Sequence, residues 1–125
     1  MTEASELPPN LHYTAAHEWI DDADPASVGI TAHAAEELGE IVYVELPQLG
    51  PVTAGDACGE IESTKAVSEI YSPATGEIVE VNDTLADAPE QVGDEPYGQG
   101  WLFRIKVSEL GEVLTAEQYA AGLDS

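Results

Sequence analysis

Residues 58–71 read Cys58-Gly59-Glu60-Ile61-Glu62-Ser63-Thr64-Lys65-Ala66-Val67-Ser68-Glu69-Ile70-Tyr71. From Cys58 to Ser63 the pattern alternates, with Ile61 on one face and Glu60 and Glu62 on the other. That is the period-two signature of a half-buried strand. Val67 to Tyr71 reads as the next strand. The short interval between them leaves room only for a hairpin turn, with Lys65 projecting from its tip.

Downstream of the hairpin, Pro73 and then Thr75-Gly76 read as turn chemistry, and Glu77 to Asn82 as another strand. Upstream, Gly55-Asp56 marks a turn. Glu40 to Leu46 is rich in β-branched residues and ends at Pro47, so it reads as a well-buried strand. Before it, Thr31 is placed to cap a short helix, Ala32 to Leu38, which Gly39 stops. Leu11 to Tyr13, His17 to Asp21 and Ser27 to Thr31 are further short strands, with turn chemistry at Asp22 to Pro25. The triplet Gly-Glu-Ile begins at Gly39, Gly59 and Gly76, and each time a glycine turn is read as launching a strand.

Asn82 to Gln99 is polar and punctuated by Pro89, Gly93, Pro96 and Gly98, so it reads as a long loop with a helical turn near Asp87 to Val92. Trp101 to Val107 alternates, with Phe103, Ile105 and Val107 inward and Arg104 and Lys106 outward. Thr115-Ala116-Glu117-Gln118 fits a capping box for a C-terminal helix over Leu114 to Ala121. Residues 1–10, with Pro8-Pro9, read as a loose lead-in. Many short strands with turns between them predict a small all-β barrel or sandwich with peripheral helices, in one domain spanning 1–125.

The charge balance excludes whole classes of function. The chain has 125 residues, with 25 Asp and Glu against 3 Lys and Arg, a net charge of −22. No basic patch exists to neutralise phosphates, so nucleic acid and anionic membranes are not expected partners. An ordinary apolar fraction of 43% means that the acidity does not signal disorder. A charge this large is self-repulsive in dilute salt and is screened at molar salt, where the Debye length is about 3 Å. The expectation is a halophilic, high-salt cytoplasm; the alternative is an acidic protein from an ordinary cell. Met1 to Asn10 has neither a basic start nor an apolar run, so the expected location is cytoplasmic.

Lys65 is one of only two lysines. A composition so hostile to lysine has kept one at an exposed tip, and the physical uses of such a residue are few. It can pair with Glu60, Glu62 or Glu69. It can act as a nucleophile, which requires burial and a depressed pKa. It can also serve as an attachment point, where an accessible amine is acylated to carry a cofactor.

Several segments resemble the H protein of the glycine cleavage system. They are His17-Glu18-Trp19, Val28-Gly29-Ile30-Thr31, Leu38-Gly39-Glu40-Ile41-Val42, Val44-Glu45-Leu46-Pro47, Glu62-Ser63-Thr64-Lys65-Ala66, Ser72-Pro73-x-x-Gly76-Glu77 and Pro96-Tyr97-Gly98-x-Gly100-Trp101. They run in the family's order from about Leu11 to Leu123. Gly76 also fits the wider lipoyl-domain pattern. Biotin carrier domains usually flank their lysine with methionine, which Thr64 and Ala66 do not match. The lipoyl domains of 2-oxoacid dehydrogenases lack the His-Glu-Trp start and the Tyr-Gly-x-Gly-Trp loop.

The resemblance implies a barrel-sandwich hybrid, lipoyl/biotinyl-like, of two sheets related by a pseudo-twofold, with short peripheral helices and a C-terminal helix. It implies lipoic acid in amide linkage on Lys65, and a carrier rather than an enzyme. Such a carrier takes an aminomethyl group from a PLP-dependent glycine decarboxylase to a tetrahydrofolate-dependent aminomethyltransferase. It then presents its dithiol to dihydrolipoamide dehydrogenase. A lipoylating enzyme is the fourth implied partner, and Glu62 is expected to be part of what that enzyme recognises. Glu18 is expected to meet the cationic amine of the loaded arm. Two other roles keep the same lysine: a lipoyl donor for 2-oxoacid dehydrogenase complexes, and an unmodified H-like binding or regulatory scaffold.

Other residues point to no chemistry. His12, His17 and His33 show no metal-ligand spacing, so no metal is expected. Asp21-Asp22-Ala23-Asp24 lacks the glycine and closing glutamate of a calcium loop. Ser63 and Thr64 have no histidine nearby in sequence, and Gly98-Gln99-Gly100 is too short for a dinucleotide fingerprint. Cys58, the only cysteine, excludes an internal disulfide and is expected to be a small buried residue.

Overall fold

The alternating stretches fold as nine strands in a computed structural model that describes residues 11–124. The lead-in expected at residues 1–10 lies outside the described residues. In chain order the elements are β1 (His12–Tyr13), β2 (Glu18–Ile20), β3 (Ala26–Ile30), α1 (Ala32–Leu38), β4 (Ile41–Glu45), β5 (Gly50–Val52), β6 (Ala57–Ser63), β7 (Val67–Tyr71) and β8 (Ala74–Val81). A 3-10 turn (Asp83–Ala86), α2 (Gln91–Asp94), β9 (Phe103–Leu110) and α3 (Ala116–Asp124) follow. The strands form two antiparallel sheets, one in the order β1-β2-β3-β9-β8-β5 and the other β4-β6-β7. No described helix is long and apolar enough to cross a membrane.

The core lies between the sheets. Val28, Ile78, Phe103 and Ile105 come from the larger sheet, and Ile41, Val44, Ile61 and Ile70 from the smaller. A second cluster of Leu11, Tyr13, Trp19, Ala116, Tyr119 and Ala120 seats α3 against the first strands. Both longer helices begin as their sequences dictate. The Thr31 hydroxyl accepts from the Ala34 amide, and Gly39 closes α1 at φ 80°. At α3 the Gln118 amide donates to Thr115 Oγ1 while the Thr115 amide donates to Gln118 Oε1, a reciprocal capping box.

Four expectations need correction. The segment 40–46 forms a strand, but Val42 and Tyr43 are 41% and 54% exposed. A bulge between Ile41 and Tyr43 breaks the alternation there, and only Ile41 and Val44 point into the core. Thr75-Gly76 is no turn; it lies inside β8, at a bulge against β9. Gly59 likewise marks a bulge inside β6, so of the three Gly-Glu-Ile triplets only the one at Gly39 leads into a strand, and there the glycine closes α1. Val107 is exposed, because β9 has by then run past the apolar core. No sequence signal predicts β5, since Gly50-Pro51 carries loop chemistry. As an edge strand it pairs only with β8, and proline is tolerated at an edge.

Candidate functional site

The hairpin of β6 and β7 is built so that its base is fixed and its tip projects. Ile61 and Ile70, each 1% exposed, root it in the core. Burial of side chains this size contributes about 2 kcal/mol each. At the tip the Ser63 amide donates to the Ala66 carbonyl at 2.8 Å, which leaves Thr64 and Lys65 as a two-residue turn. Neither has a positive φ, so this is not the mirror-image turn that suits hairpin twist best. Ser63 supplies the brace instead. Its Oγ accepts from the amides of Lys65 (3.3 Å) and Ala66 (3.1 Å) and donates to the Ala66 carbonyl. The Thr64 amide donates to the Glu40 carbonyl, tying the tip to the segment before β4.

Lys65 is exposed on this turn, and its stem passes over Gly39, where a Cβ would lie 3.7 Å from Lys65 Cε. Glu60, Glu62 and Glu69 are exposed on the same hairpin. Among the described residues Arg104 pairs with Glu80 and His33 contacts Glu37, and Lys65 takes part in neither. The amine is accessible and stands near carboxylates rather than in an apolar pocket. It therefore lacks the burial that a catalytic lysine nucleophile requires.

Glu18 lies elsewhere, at the start of β2. It is 2% exposed and forms part of the wall of a cleft of about 460 Å³, together with Thr14, Tyr71, Ser72, Pro73 and Glu112. Its Oε2 accepts from the Tyr71 amide at 2.7 Å and its Oε1 from the Thr14 hydroxyl at 3.1 Å. Burial pushes its carboxyl up to about 7, against these two hydrogen bonds. Tyr71, which was not anticipated, thus ties the far end of the hairpin to Glu18. No sequence signal marks it, because the contact is made by its backbone amide.

A raised carboxyl pKa has a definite consequence for stability. Between about 4.5 and about 7 the folded chain binds a proton at Glu18 that the unfolded chain does not. Stability from this group is therefore greatest at low pH and is lost as pH rises through 7. Denaturant melts of wild type and Glu18→Gln in metal-free buffer should diverge across that window, the wild type losing on the order of 3 kcal/mol relative to the variant. Parallel profiles would contradict the reading.

Cys58 is half-buried, and burial with Glu18 and Asp56 nearby pushes its thiol up to about 12, so it is a poor nucleophile. His17 and His33, separate in the sequence, lie with their ring centroids 4.8 Å apart and with Glu37 close by. An i, i+4 His-Glu pair on α1 was the available signal for this cluster.

A sequence profile of the family described as Glycine cleavage H-protein matches residues 11–125. The glycine cleavage system H protein of Rubrobacter xylanophilus is 52% identical over 122 residues, covering 96% of this chain and 97% of its own. That of Thermobifida fusca is 55% identical over 116 residues, covering 90% and 92%. Among solved structures, the crystal structure of a glycine cleavage system H protein from Mycobacterium marinum superposes with a TM-score of 0.91 at 46% identity. The match covers 95% of this chain and all of that one. The braced hairpin thus belongs to a shared architecture, and the chain is a member of the glycine cleavage H-protein family.

Proposed function

We propose that Lys65 is the point of lipoyl attachment and that the chain carries the group among the components of the glycine cleavage system, itself non-catalytic. The observation that carries this reading is an exposed amine on a braced hairpin tip, outside any ion pair among the described residues. The fit to an amide-linked arm is good: Gly39, whose φ of 80° suits glycine, leaves the lysine stem room along α1's end. When bound, the lipoyl group supplies a disulfide that takes up an aminomethyl group and a dithiol that is later reoxidised.

The protein's own residues provide placement. Ile61 and Ile70 hold the hairpin base, and Ser63 holds the turn. Val67, Glu69 and Tyr71 alternate along β7 and are all exposed, so they form a row from the lysine toward the cleft. Over β7 this row spans about 13 Å. At its end the Glu18 carboxylate would meet a cationic amine and hold its proton. Glu62, exposed and paired across the strands with Val67, is offered to the lipoylating enzyme. The proposed partners are a PLP-dependent glycine decarboxylase, a tetrahydrofolate-dependent aminomethyltransferase and dihydrolipoamide dehydrogenase. Tethering raises the arm's effective concentration at whichever of them is docked. Intact mass of the native protein tests attachment. A lipoyl amide should be present and should vanish in Lys65→Ala, whereas an unmodified protein from lipoate-replete cells would count against it.

The charge supports salt adaptation as a second part of the proposal. Glu45, Glu60 and Glu69 sit abreast on neighbouring strands, all exposed. Like charges directly opposite one another destabilise a sheet unless screened. The melting midpoint should therefore climb steeply as KCl is raised toward molar concentration. A protein equally stable without salt would argue for an ordinary acidic cytoplasm.

A further inference from the structure

The cluster of His17, His33 and Glu37 is not used by the carrier site. Each offers one ligand atom, and these atoms lie within 4.8 Å of one another. His33 and Glu37 are one turn apart on α1, with His33 Nε2 and Glu37 Oε1 at 3.0 Å. His17 arrives from the chain just before β2. It is the one described residue other than glycine with a positive φ, at 69°. Its amide donates to the Thr14 carbonyl, and its carbonyl accepts from the Thr31 amide, so this conformation is held at both ends.

The surroundings engage one nitrogen of His17 and leave the other toward His33 and Glu37. Its Nδ1 lies 2.7 Å from the Tyr119 hydroxyl, which lies 2.8 Å from Thr31 Oγ1. With Nδ1–H donating to Tyr119, and Tyr119 donating to Thr31, the lone pair stands on Nε2. That relay is the kind of outer contact that orients a metal-bound imidazole. Tyr119 is 2% exposed and stacks on Tyr13 at 5.1 Å, so the relay is rigid.

We propose that His17, His33 and Glu37 form a binding site for a borderline divalent transition metal such as zinc. Two imidazoles and a carboxylate are a donor set for such ions and not for calcium or magnesium, which take oxygen. Ligands on a tetrahedral zinc sit about 3.3 Å apart, given bonds near 2.0 Å. The His33–Glu37 pair already meets that spacing. Glu37, with its side chain 64% exposed, is free to swing and close the remainder. Three protein ligands leave one position for water. The bound ion would clasp α1 to the chain before β2 and, through Tyr119, to α3.

The test is calorimetric titration of the full chain with Zn2+ in excess Mg2+, which occupies the oxygen-only sites of the acidic surface, followed by Co2+ as an optical probe. One saturable Zn2+ per chain is expected, with a visible Co2+ band and a raised melting midpoint. His33→Ala and Glu37→Gln, both on the outer side of α1, should abolish saturable binding. Tyr119→Phe keeps the packed ring and should weaken it roughly 10- to 100-fold. Binding that survives His33→Ala and Glu37→Gln unchanged, or that Mg2+ removes altogether, would overturn the site.

Discussion

Lys65→Arg is expected to abolish carriage of the one-carbon unit while leaving the fold intact. Arginine keeps the positive charge and nearly the reach of lysine. Its guanidinium stays protonated at any pH a protein tolerates, so it is no acceptor for an acyl group. Lys65 is exposed and belongs to no ion pair among the described residues, so stability should move by no more than about 0.5 kcal/mol. In a reaction reconstituted with the decarboxylase, the aminomethyltransferase and the dehydrogenase, glycine decarboxylation should fall to the rate seen without this chain. The variant's intact mass should show no adduct. Turnover retained by the arginine variant would remove Lys65 from the carrier role, whatever its position on the hairpin.

Gly76→Ala should act through stability alone, and strongly. A Cβ at Gly76 would overlap the Lys106 carbonyl oxygen and press on the Ser108 amide of the facing strand. The clash is backbone against side chain, so no rotamer relieves it. The strands cannot part easily either, because the neighbouring pair Ile78–Ile105 is 2% and 0% exposed in the core. The expected loss is about 3 kcal/mol, at the upper end for overpacking. Gly122→Ala provides the contrast. Gly122 lies in α3 with nothing within 4 Å of its Cβ position, and alanine there should stabilise by up to about 1 kcal/mol. Urea melts of both variants decide the matter, and a Gly76→Ala protein as stable as wild type would show that the β8–β9 bulge can open.

Local chemistry explains what was legible in the sequence. The helix Ala32–Leu38 is read to the residue because a hydroxyl cap and a glycine stop are both short-range signals. The hairpin is read for the same reason, and with it the exposure of Lys65. The interior of β8 is misread, and Gly50–Val52 goes unread, because Gly, Pro and Thr-Gly carry turn signals, while a neighbouring strand holds them extended. Val42, Tyr43 and Val107 are misread because β-propensity reports a strand but not which face meets the core. At the site, Glu18 is legible only through family resemblance, since its burial arises from Tyr71 and Thr14 meeting it in space. His17 and His33 are brought together by the turn before β2, and no spacing rule encodes that turn.

The lone base on the hairpin tip also decides how the protein looks after digestion. Its Lys and Arg residues are Lys65, Arg104 and Lys106. A protease that cuts after lysine and arginine would cleave unmodified chain at the tip. Once Lys65 is acylated, the first such cut falls at Arg104, and the modified residue leaves in a fragment too long for ordinary peptide surveys. A glutamate-specific protease reverses the situation. Glu62 and Glu69 flank the turn, so it would release Ser63 to Glu69 with the arm attached.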